Sequence, residues 1–167
     1  MDKEKKVIHI DWEGPVALDD ISKYDGASDY GVYQAYGAHP IYGDNVLLYI
    51  GRVVHQTFAQ RMKQHGFAEW SHDPTRVELY LGRFAGESFP GGDKWNKQIE
   101  SAEALLIFSH APAWNSQNIQ DFDAEKVNNI HVVNWGNRRS LFPEVSSYRW
   151  DQDSLAKPSN LSVFKTT

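Results

Sequence analysis

The stretch GVYQAYGAHPIYGDNVLLYIG, residues 31–51, decides the fold that we expect for this chain. Residues 31–36 and 46–54 are rich in β-branched and aromatic residues, a composition that favours β-strands. The segment between them, residues 37–45, is rich in glycine and contains a proline, which is typical of turns. We therefore expect two neighbouring strands that are joined by a turn-rich connection.

Segments on both sides of this stretch predict further strands and two helices. Alternating or β-branched apolar residues indicate strands at 7–12, 76–84 and 130–135. Segments 57–65 and 93–110 have the apolar periodicity of helices. This order of elements predicts an α+β fold in which a small mixed or antiparallel β-sheet is flanked by helices.

The helix starts have local capping signals. Thr57 followed by Gln60 is a capping-box pattern, in which each residue satisfies a backbone N–H of the other. Asp93 is the expected N-cap of the second helix, because its carboxylate can accept from the free amides of the first turn.

The bulk composition limits the classes of function. The chain has 167 residues, enough for one compact domain. It has no cysteine, which excludes disulfides, thiolate metal sites and a cysteine nucleophile. We find no signal peptide and no apolar run long enough to span a membrane, and expect a cytoplasmic protein without a membrane partner. The formal net charge is -5, whereas nucleic-acid binders commonly present a basic surface.

Glu103 is the anomalous residue of the second helix. It lies beside an apolar stripe, with Ile99 four residues before it and Ile107 four residues after it. A carboxylate among apolar neighbours is costly unless a positive group or a hydrogen-bond donor meets it. One interpretation is a glutamate at the edge of the stripe that reaches solvent or pairs with an arginine. The other is a metal ligand, because hard divalent cations prefer oxygen donors.

A pair of tyrosines is the second feature. Tyr33 and Tyr49 lie on the two neighbouring strands, and a tyrosine in a strand commonly serves packing alone. Tyr49 alternates with Leu47 and Gly51, and Gly51 has no side chain to crowd the same face. A phenol could therefore stand over an open patch of the sheet.

Taken together, these features make the chain resemble the GIY-YIG nuclease family. The resemblance runs through GVY at 31–33, YIG at 49–51, Arg61 and His65 on the following helix, and Glu103 on a later helix. Further matches follow the glutamate at Leu106, Ile107, Pro112 and Asn115. The position of Arg61 and the length of the loop between the tripeptides depart from the family pattern, but no chemical group is lost.

The resemblance covers about residues 30–116, which we expect to form the nuclease domain. Residues 1–29 are then an N-terminal extension, and residues 117–150 a C-terminal extension packed on the same domain. Residues 151–167 are expected to be a flexible tail.

The resemblance implies a metal-dependent endonuclease. The implied catalytic residues are Tyr33, Tyr49, Arg61, His65, Glu103 and Asn115. Glu103 would hold one divalent metal, Mg²⁺ or Mn²⁺, which acts as a Lewis acid on the phosphate. Arg61 would stabilise the transition state, and a tyrosine would take the proton from water. We favour Tyr33 as the base and Tyr49 as the group that orients the water; the reverse assignment stays open.

The partner implied by the resemblance is nucleic acid, with DNA favoured over RNA. His65 would contact phosphate or relay a proton, and Asn115 would brace the site. We expect phosphate contacts from Arg52 and Lys63, and also from Arg138 and Arg139 beside Trp135. We also expect Tyr33, Tyr49, Arg61 and Glu103 to converge on one surface. The alternative function is a binding or interaction module that keeps the fold without catalysis.

Overall fold

The structure is a computed structural model that describes residues 5–65, 73–86, 92–121 and 123–148. The predicted tail at 151–167 lies outside the described residues. The described part is α+β, as predicted, and is built on one mixed sheet.

Six strands form this sheet within the described residues, in the order β3-β2-β4-β1-β5-β6. Their bounds are β1 Lys6–Ala17, β2 Gly31–His39, β3 Gly43–Val53, β4 Glu78–Ala85, β5 Ile130–Gly136 and β6 Glu144–Ser146. Neighbouring strands are antiparallel, except that β1 and β5 are parallel. Strand β3, which has the YIG tripeptide, is therefore an edge strand.

The connection between β2 and β3 is shorter than the sequence predicts. Most of the segment expected to be turn-rich, residues 37–45, belongs to the two strands, and the pairing extends to His39 opposite Gly43. Cross-strand hydrogen bonds compensate for the weak strand preference of glycine here. The chain reverses over residues 40–42 alone.

The segment before the tyrosine motifs is central to the sheet. Strand β1 pairs with β4 on one side and with β5 on the other, and it continues five residues beyond the predicted 7–12. A side-chain hydrogen bond of 2.9 Å from Trp12 Nε1 to Asn134 Oδ1 joins β1 to β5. Residues 1–29 and 117–150 thus contribute strands to the same sheet as the motif region.

In the described ranges, two α-helices flank the sheet, and a third α-helix consists of a single turn. They are α1 Phe58–Gln64, α2 Asp93–His110 and α3 Ala124–Val127. Short 3₁₀ helices cover Leu18–Lys23 and Pro74–Arg76. No helix of the described ranges has the length and apolarity needed to cross a membrane.

The cap predicted for α1 is confirmed and the cap predicted for α2 is wrong. The Thr57 side chain accepts from the amide of Gln60, and the Gln60 side chain accepts from the amide of Thr57. The N-cap of α2 is Gly92, not Asp93. Gly92 has a φ of +79°, a conformation that glycine adopts without strain, and its carbonyl accepts from the amides of Trp95 and Asn96. Asp93 is instead in the first turn, where its charge suits the helix dipole.

The two faces of the sheet pack against different helices. On β2, Val32 and Tyr36 belong to a core that contains the apolar residues of α2. Tyr33 and Ala35 belong to a second core with Phe58 of α1. Helices α1 and α2 therefore lie on opposite faces of the sheet.

A register shift in β3 decides where the YIG tyrosine points. Leu47 pairs with Tyr36 and Tyr49 pairs with Ala35, so that Leu48 is the extra residue of a bulge. Leu47 consequently packs on the α2 face and Tyr49 on the α1 face. The expected alternation of Tyr49 with Leu47 is wrong, because the bulge reverses the faces between them.

Candidate active site at the edge strand

The ring of Tyr33 covers Gly51. A Cβ atom at Gly51 would lie 2.5 Å from both Cζ and Oη of Tyr33, and 2.6 Å from Cε1 of Tyr49. The two phenol rings are 6.0 Å apart between centroids. The absence of a side chain at Gly51 is therefore what lets both tyrosines lie over β3, as the sequence predicts.

A short hydrogen-bonded chain runs from α1 into the sheet. Arg61 hydrogen-bonds to the Tyr33 phenol, and a guanidinium can only donate. The phenol oxygen also lies 3.1 Å from Nε2 of His65. If the phenol oxygen accepts from Arg61, its proton is free to be donated to His65 Nε2, which then carries no proton.

Burial controls the protonation states of this chain. Tyr33 has no exposed surface, and burial raises the pKa of its phenol well above the ordinary value. Burial, assisted by the nearby charge of Arg61, lowers the pKa of His65 to about 4. At neutral pH, Tyr33 is thus a neutral phenol and His65 a neutral imidazole.

Tyr49 differs from Tyr33 in being partly exposed. Its ring lies 5.9 Å from that of His65 between centroids. Burial raises the pKa of Tyr49, and the charge of Glu103 raises it further, whereas Arg61 and Arg52 lower it. Of the two motif tyrosines, Tyr49 is therefore the more exposed.

Glu103 is buried on α2 and pairs with Arg52 of β3. The guanidinium Nη1 of Arg52 donates to Oε2 of Glu103, and Nη2 lies 3.8 Å from Oε1 of Glu100. Only 7 % of Glu103 is exposed, and burial raises the pKa of its carboxyl despite the opposing effect of Arg52. This is the arginine partner that one interpretation of the sequence expected.

The predicted residues approach the edge strand from two faces. Tyr33, Tyr49, Arg61 and His65 lie together on the α1 face, whereas Glu103 belongs to the helix on the opposite face. The expected convergence on one surface is therefore wrong for Glu103, whose helix packs on the face of the sheet opposite to Tyr49. Nevertheless, the Glu103 charge acts on both tyrosines and that of Arg61 acts on Glu103, which places these four side chains within electrostatic range of one another.

Asn115 braces the strand beneath the site. Its side-chain oxygen accepts from the amide of Ile50 at 2.9 Å, and its side-chain nitrogen donates to the carbonyl of Ile50 at 2.9 Å. The amide of Trp114 adds a 2.8 Å bond to the carbonyl of Leu48. The segment after α2 therefore covers the outer edge of β3. It fixes Tyr49 because the backbones of both neighbours, Leu48 and Ile50, are hydrogen-bonded to this segment.

The residues predicted to contact phosphate do not form one patch. Lys63 is exposed on α1, whereas Arg52 is engaged by Glu103. Arg138 donates to the carbonyl of Leu141 at 2.5 Å within its own turn. Arg139 lies over the ring of Tyr36, at 5.2 Å from its centroid.

Trp135, beside which the sequence places Arg138 and Arg139, has its indole hydrogen-bonded to β1. Its Nε1 donates to Nδ1 of His9 at 3.0 Å across the β1–β5 pair. Gln34 and Tyr36, which contact the 138–140 turn, alternate with Tyr33 on β2. Arg138 and Arg139 thus lie on the face opposite to the two motif tyrosines.

The divalent metal that the resemblance implies would have one protein ligand, Glu103. Mg²⁺ keeps several waters and commonly binds through one or two carboxylates, so a single glutamate fits such an ion. A carboxylate has about four lone-pair positions, and one bond from Arg52 leaves others for a cation. No group of three or more histidine and carboxylate side chains in the described ranges is placed to share a metal.

Comparison with protein-family models, with curated proteins and with solved structures finds no significant match to this chain.

Proposed function

We propose that this protein is a nuclease of the GIY-YIG type that hydrolyses phosphodiester bonds in nucleic acid, with DNA the favoured substrate. The observation that carries the proposal is the grouping of Tyr33 and Tyr49 over Gly51, with Arg61 and His65 at the Tyr33 hydroxyl and the charge of Glu103 acting on both tyrosines. Four sequence-separated motif positions meet there, and a phenol, a guanidinium and an imidazole are groups that phosphoryl transfer uses.

Arg61 supplies the group for the phosphate. Its Nε is buried, and no described residue accepts a hydrogen bond from it. Arg61 as a whole residue is partly exposed, so a ligand can approach its guanidinium from solvent. A phosphate oxygen is a suitable acceptor, because guanidinium groups bind phosphates through parallel N–H donors.

Accessibility favours Tyr49 as the phenol that meets the attacking water. Tyr33 has no exposed surface and its hydroxyl is already engaged by Arg61 and His65. We therefore assign Tyr33 to positioning the Arg61 and His65 side chains, and Tyr49 to the water, the reverse of the assignment favoured from sequence. A tyrosine acting as base must lose its proton, so its pKa has to fall when substrate and cation bind.

Glu103 would hold the divalent ion, Mg²⁺ or Mn²⁺, at the junction of α2 and β3. The cation would supply Lewis-acid charge for the phosphate and for the leaving oxygen. Arg52 would be the resident counter-ion of Glu103 before the metal binds, which keeps a buried carboxylate from standing alone.

The second candidate function is a binding module without catalysis. The ion pair between Arg52 and Glu103 favours it, since a carboxylate paired with an arginine can be purely structural. The net charge of -5 favours it as well.

A plasmid-nicking assay with Mg²⁺ or Mn²⁺ separates the two functions. We expect Glu103→Gln to abolish nicking, because it removes the only proposed metal ligand. Glu100→Gln is the matched control, since Glu100 is on the same helix and faces the same Arg52, but its side chain is 38 % exposed. Absence of metal-dependent nicking by the wild type would leave the binding module as the better account. Nicking that persists in Glu103→Gln would refute Glu103 as the metal ligand.

A further inference from the structure

Three aromatic side chains form an exposed cluster beside the β2–β3 turn. The ring of Tyr42 stacks on His39 with centroids 4.5 Å apart and an interplanar angle of 17°. The indole of Trp114 lies 5.2 Å from the same imidazole. We call His39, Tyr42 and Trp114 the aromatic platform.

The platform is exposed to an unusual degree. Tyr42 is 68 % exposed, Trp114 is 43 % exposed, and the adjacent Ile41 is 82 % exposed. Within the described residues, these are three of the seven large hydrophobic side chains that are exposed. Such a concentration at one turn is typical of a binding surface, because isolated exposed apolar residues need no explanation but clusters do.

The backbone holds the platform in place before any ligand binds. Nδ1 of His39 accepts from the amides of Ile41 and Tyr42, each at 3.1 Å, which fixes the turn. The amide of Trp114 donates to the carbonyl of Leu48. A surface that is ordered in advance loses little conformational entropy on binding, and this favours a specific stacking role.

Two guanidinium groups contact the first residues of β3, directly after this turn. Arg139 donates to the side chain of Asn45 at 2.5 Å, and Arg76 donates to Asp44 at 3.1 Å. A guanidinium has five N–H donors, so each arginine keeps donors for a further acceptor. Rings that can stack beside cations that can meet phosphates are the combination used for single-stranded nucleic acid.

We propose that the aromatic platform binds unpaired bases of a single-stranded nucleic-acid segment. The proposal rests on the proposed nuclease function and deepens it by naming the substrate class. Stacking on Tyr42 and Trp114 requires base faces that are free, which a regular duplex does not offer. Arg76 and Arg139 contact the backbone of the same segment.

The platform is continuous with the candidate active site. Residues 113–115 run along the edge of β3 from the platform to Ile50, between Tyr49 and Gly51. The seven residue steps from Tyr42 to Tyr49 span roughly 20 Å along the strand. A strand stacked on the platform therefore passes along β3 towards the site, so the cleaved bond lies a fixed number of nucleotides from the stacked bases.

Fluorescence anisotropy without divalent metal tests the proposal separately from cleavage. The probes are a labelled oligothymidylate of about 20 nucleotides and a duplex of the same length. We expect the single strand to bind more tightly, and Tyr42→Ala and Trp114→Ala each to weaken it at least about fivefold. Tyr42→Phe should bind like wild type. Ile41→Ala is the matched control, because it removes an exposed apolar side chain from the same turn without removing a ring.

Two results would overturn the proposal that the aromatic platform binds unpaired bases. One is unchanged single-strand affinity in Tyr42→Ala and Trp114→Ala proteins that circular dichroism shows to be folded. The other is sedimentation showing that wild type self-associates and that Tyr42→Ala and Ile41→Ala both abolish the association, which assigns the surface to a second copy of the chain. Retained platform binding together with absent metal-dependent nicking would instead refute the nuclease function alone.

Discussion

Arg52 on the edge strand donates a hydrogen bond to Glu103, a carboxylate that is almost fully buried on the helix behind it. The arginine itself is 40 % exposed at its side chain and also faces Glu100. The pair is therefore asymmetric. The buried charge of Glu103 depends on Arg52 for stabilisation, whereas the charge of Arg52 can be solvated by water. This asymmetry sets opposite expectations for replacing the two partners.

Arg52→Gln should destabilise the protein by about 2 kcal/mol at neutral pH, below the range for a fully buried pair because Arg52 is partly exposed. The change leaves a buried carboxylate without its counter-ion. Urea unfolding measures the loss. The double variant Arg52→Gln/Glu103→Gln should recover most of it, since no buried charge is then left. Equal destabilisation in the single and double variants would show that the arginine acts through packing instead.

The same loss should depend on pH. Burial raises the pKa of Glu103 above the value in the unfolded chain, so folding favours the protonated form. The free-energy cost of burying an ionised Glu103 is absent below the pKa of Glu103 in the unfolded chain. This cost appears as the pH rises through the pKa of Glu103 in the folded protein. The destabilisation by Arg52→Gln should therefore shrink when unfolding is measured towards pH 4. A penalty that stays constant with pH would contradict the role of Arg52 as counter-ion.

Gly51→Ala should lower both stability and nicking. The new methyl group would lie 2.5 Å from the Tyr33 ring, and overpacking of this kind costs about 1–3 kcal/mol. Thermal melts and the nicking assay measure the two effects. Gly43→Ala is the control, because its Cβ meets no atom within 4 Å while its φ of +87° is unfavourable for alanine. Gly43→Ala should lower stability and leave nicking unchanged. A loss of nicking in Gly43→Ala would mean that reduced stability alone lowers activity.

Tyr49→Phe should lower the rate of nicking by about 100-fold or more, with little change in melting temperature. Tyr49 is partly exposed, and its hydroxyl is the group assigned to the water. Tyr33→Phe should lower the melting temperature as well, because it removes the hydroxyl that Arg61 and His65 share. Single-turnover rates and thermal melts of the two variants make the comparison. Full activity in Tyr49→Phe would return the catalytic role to Tyr33.

His65 should weaken the fold in mild acid. Its pKa is lowered from 6.5 to about 4, so below pH 6.5 the unfolded chain takes up a proton that the folded chain does not. Stability should be lost as the pH falls from 6.5 to 4. The difference in unfolding free energy between wild type and His65→Asn should change in the same window. Burial also lowers the pKa of His110, but the contribution of His110 is the same in both proteins and cancels in the difference. A difference that is flat with pH would show that His65 is protonated in the folded state.

Some of these features could be predicted because they are local in the chain. The capping box of Thr57 and Gln60 spans three residues, and its hydrogen bonds form wherever the helix forms. The strands at 31–36 and 46–54 follow from side-chain type, and the open space above Gly51 follows from the lack of a Cβ. Covalent proximity and side-chain shape suffice for these, so a short window of sequence contains the information.

Other features depend on contacts between distant residues. The position of β1 between β4 and β5 depends on pairs such as Trp12 with Asn134, which are 122 residues apart in the chain. The bulge at Leu48 turns Leu47 and Tyr49 to opposite faces, although simple alternation places them on the same face. Arg52 meets Glu103 because two layers pack, and Tyr42 meets Trp114 through His39 at a sheet edge. Burial, the pKa values that follow from it and the counter-ion of Glu103 exist only when these layers are assembled, because desolvation is a property of the packed molecule and of no segment alone.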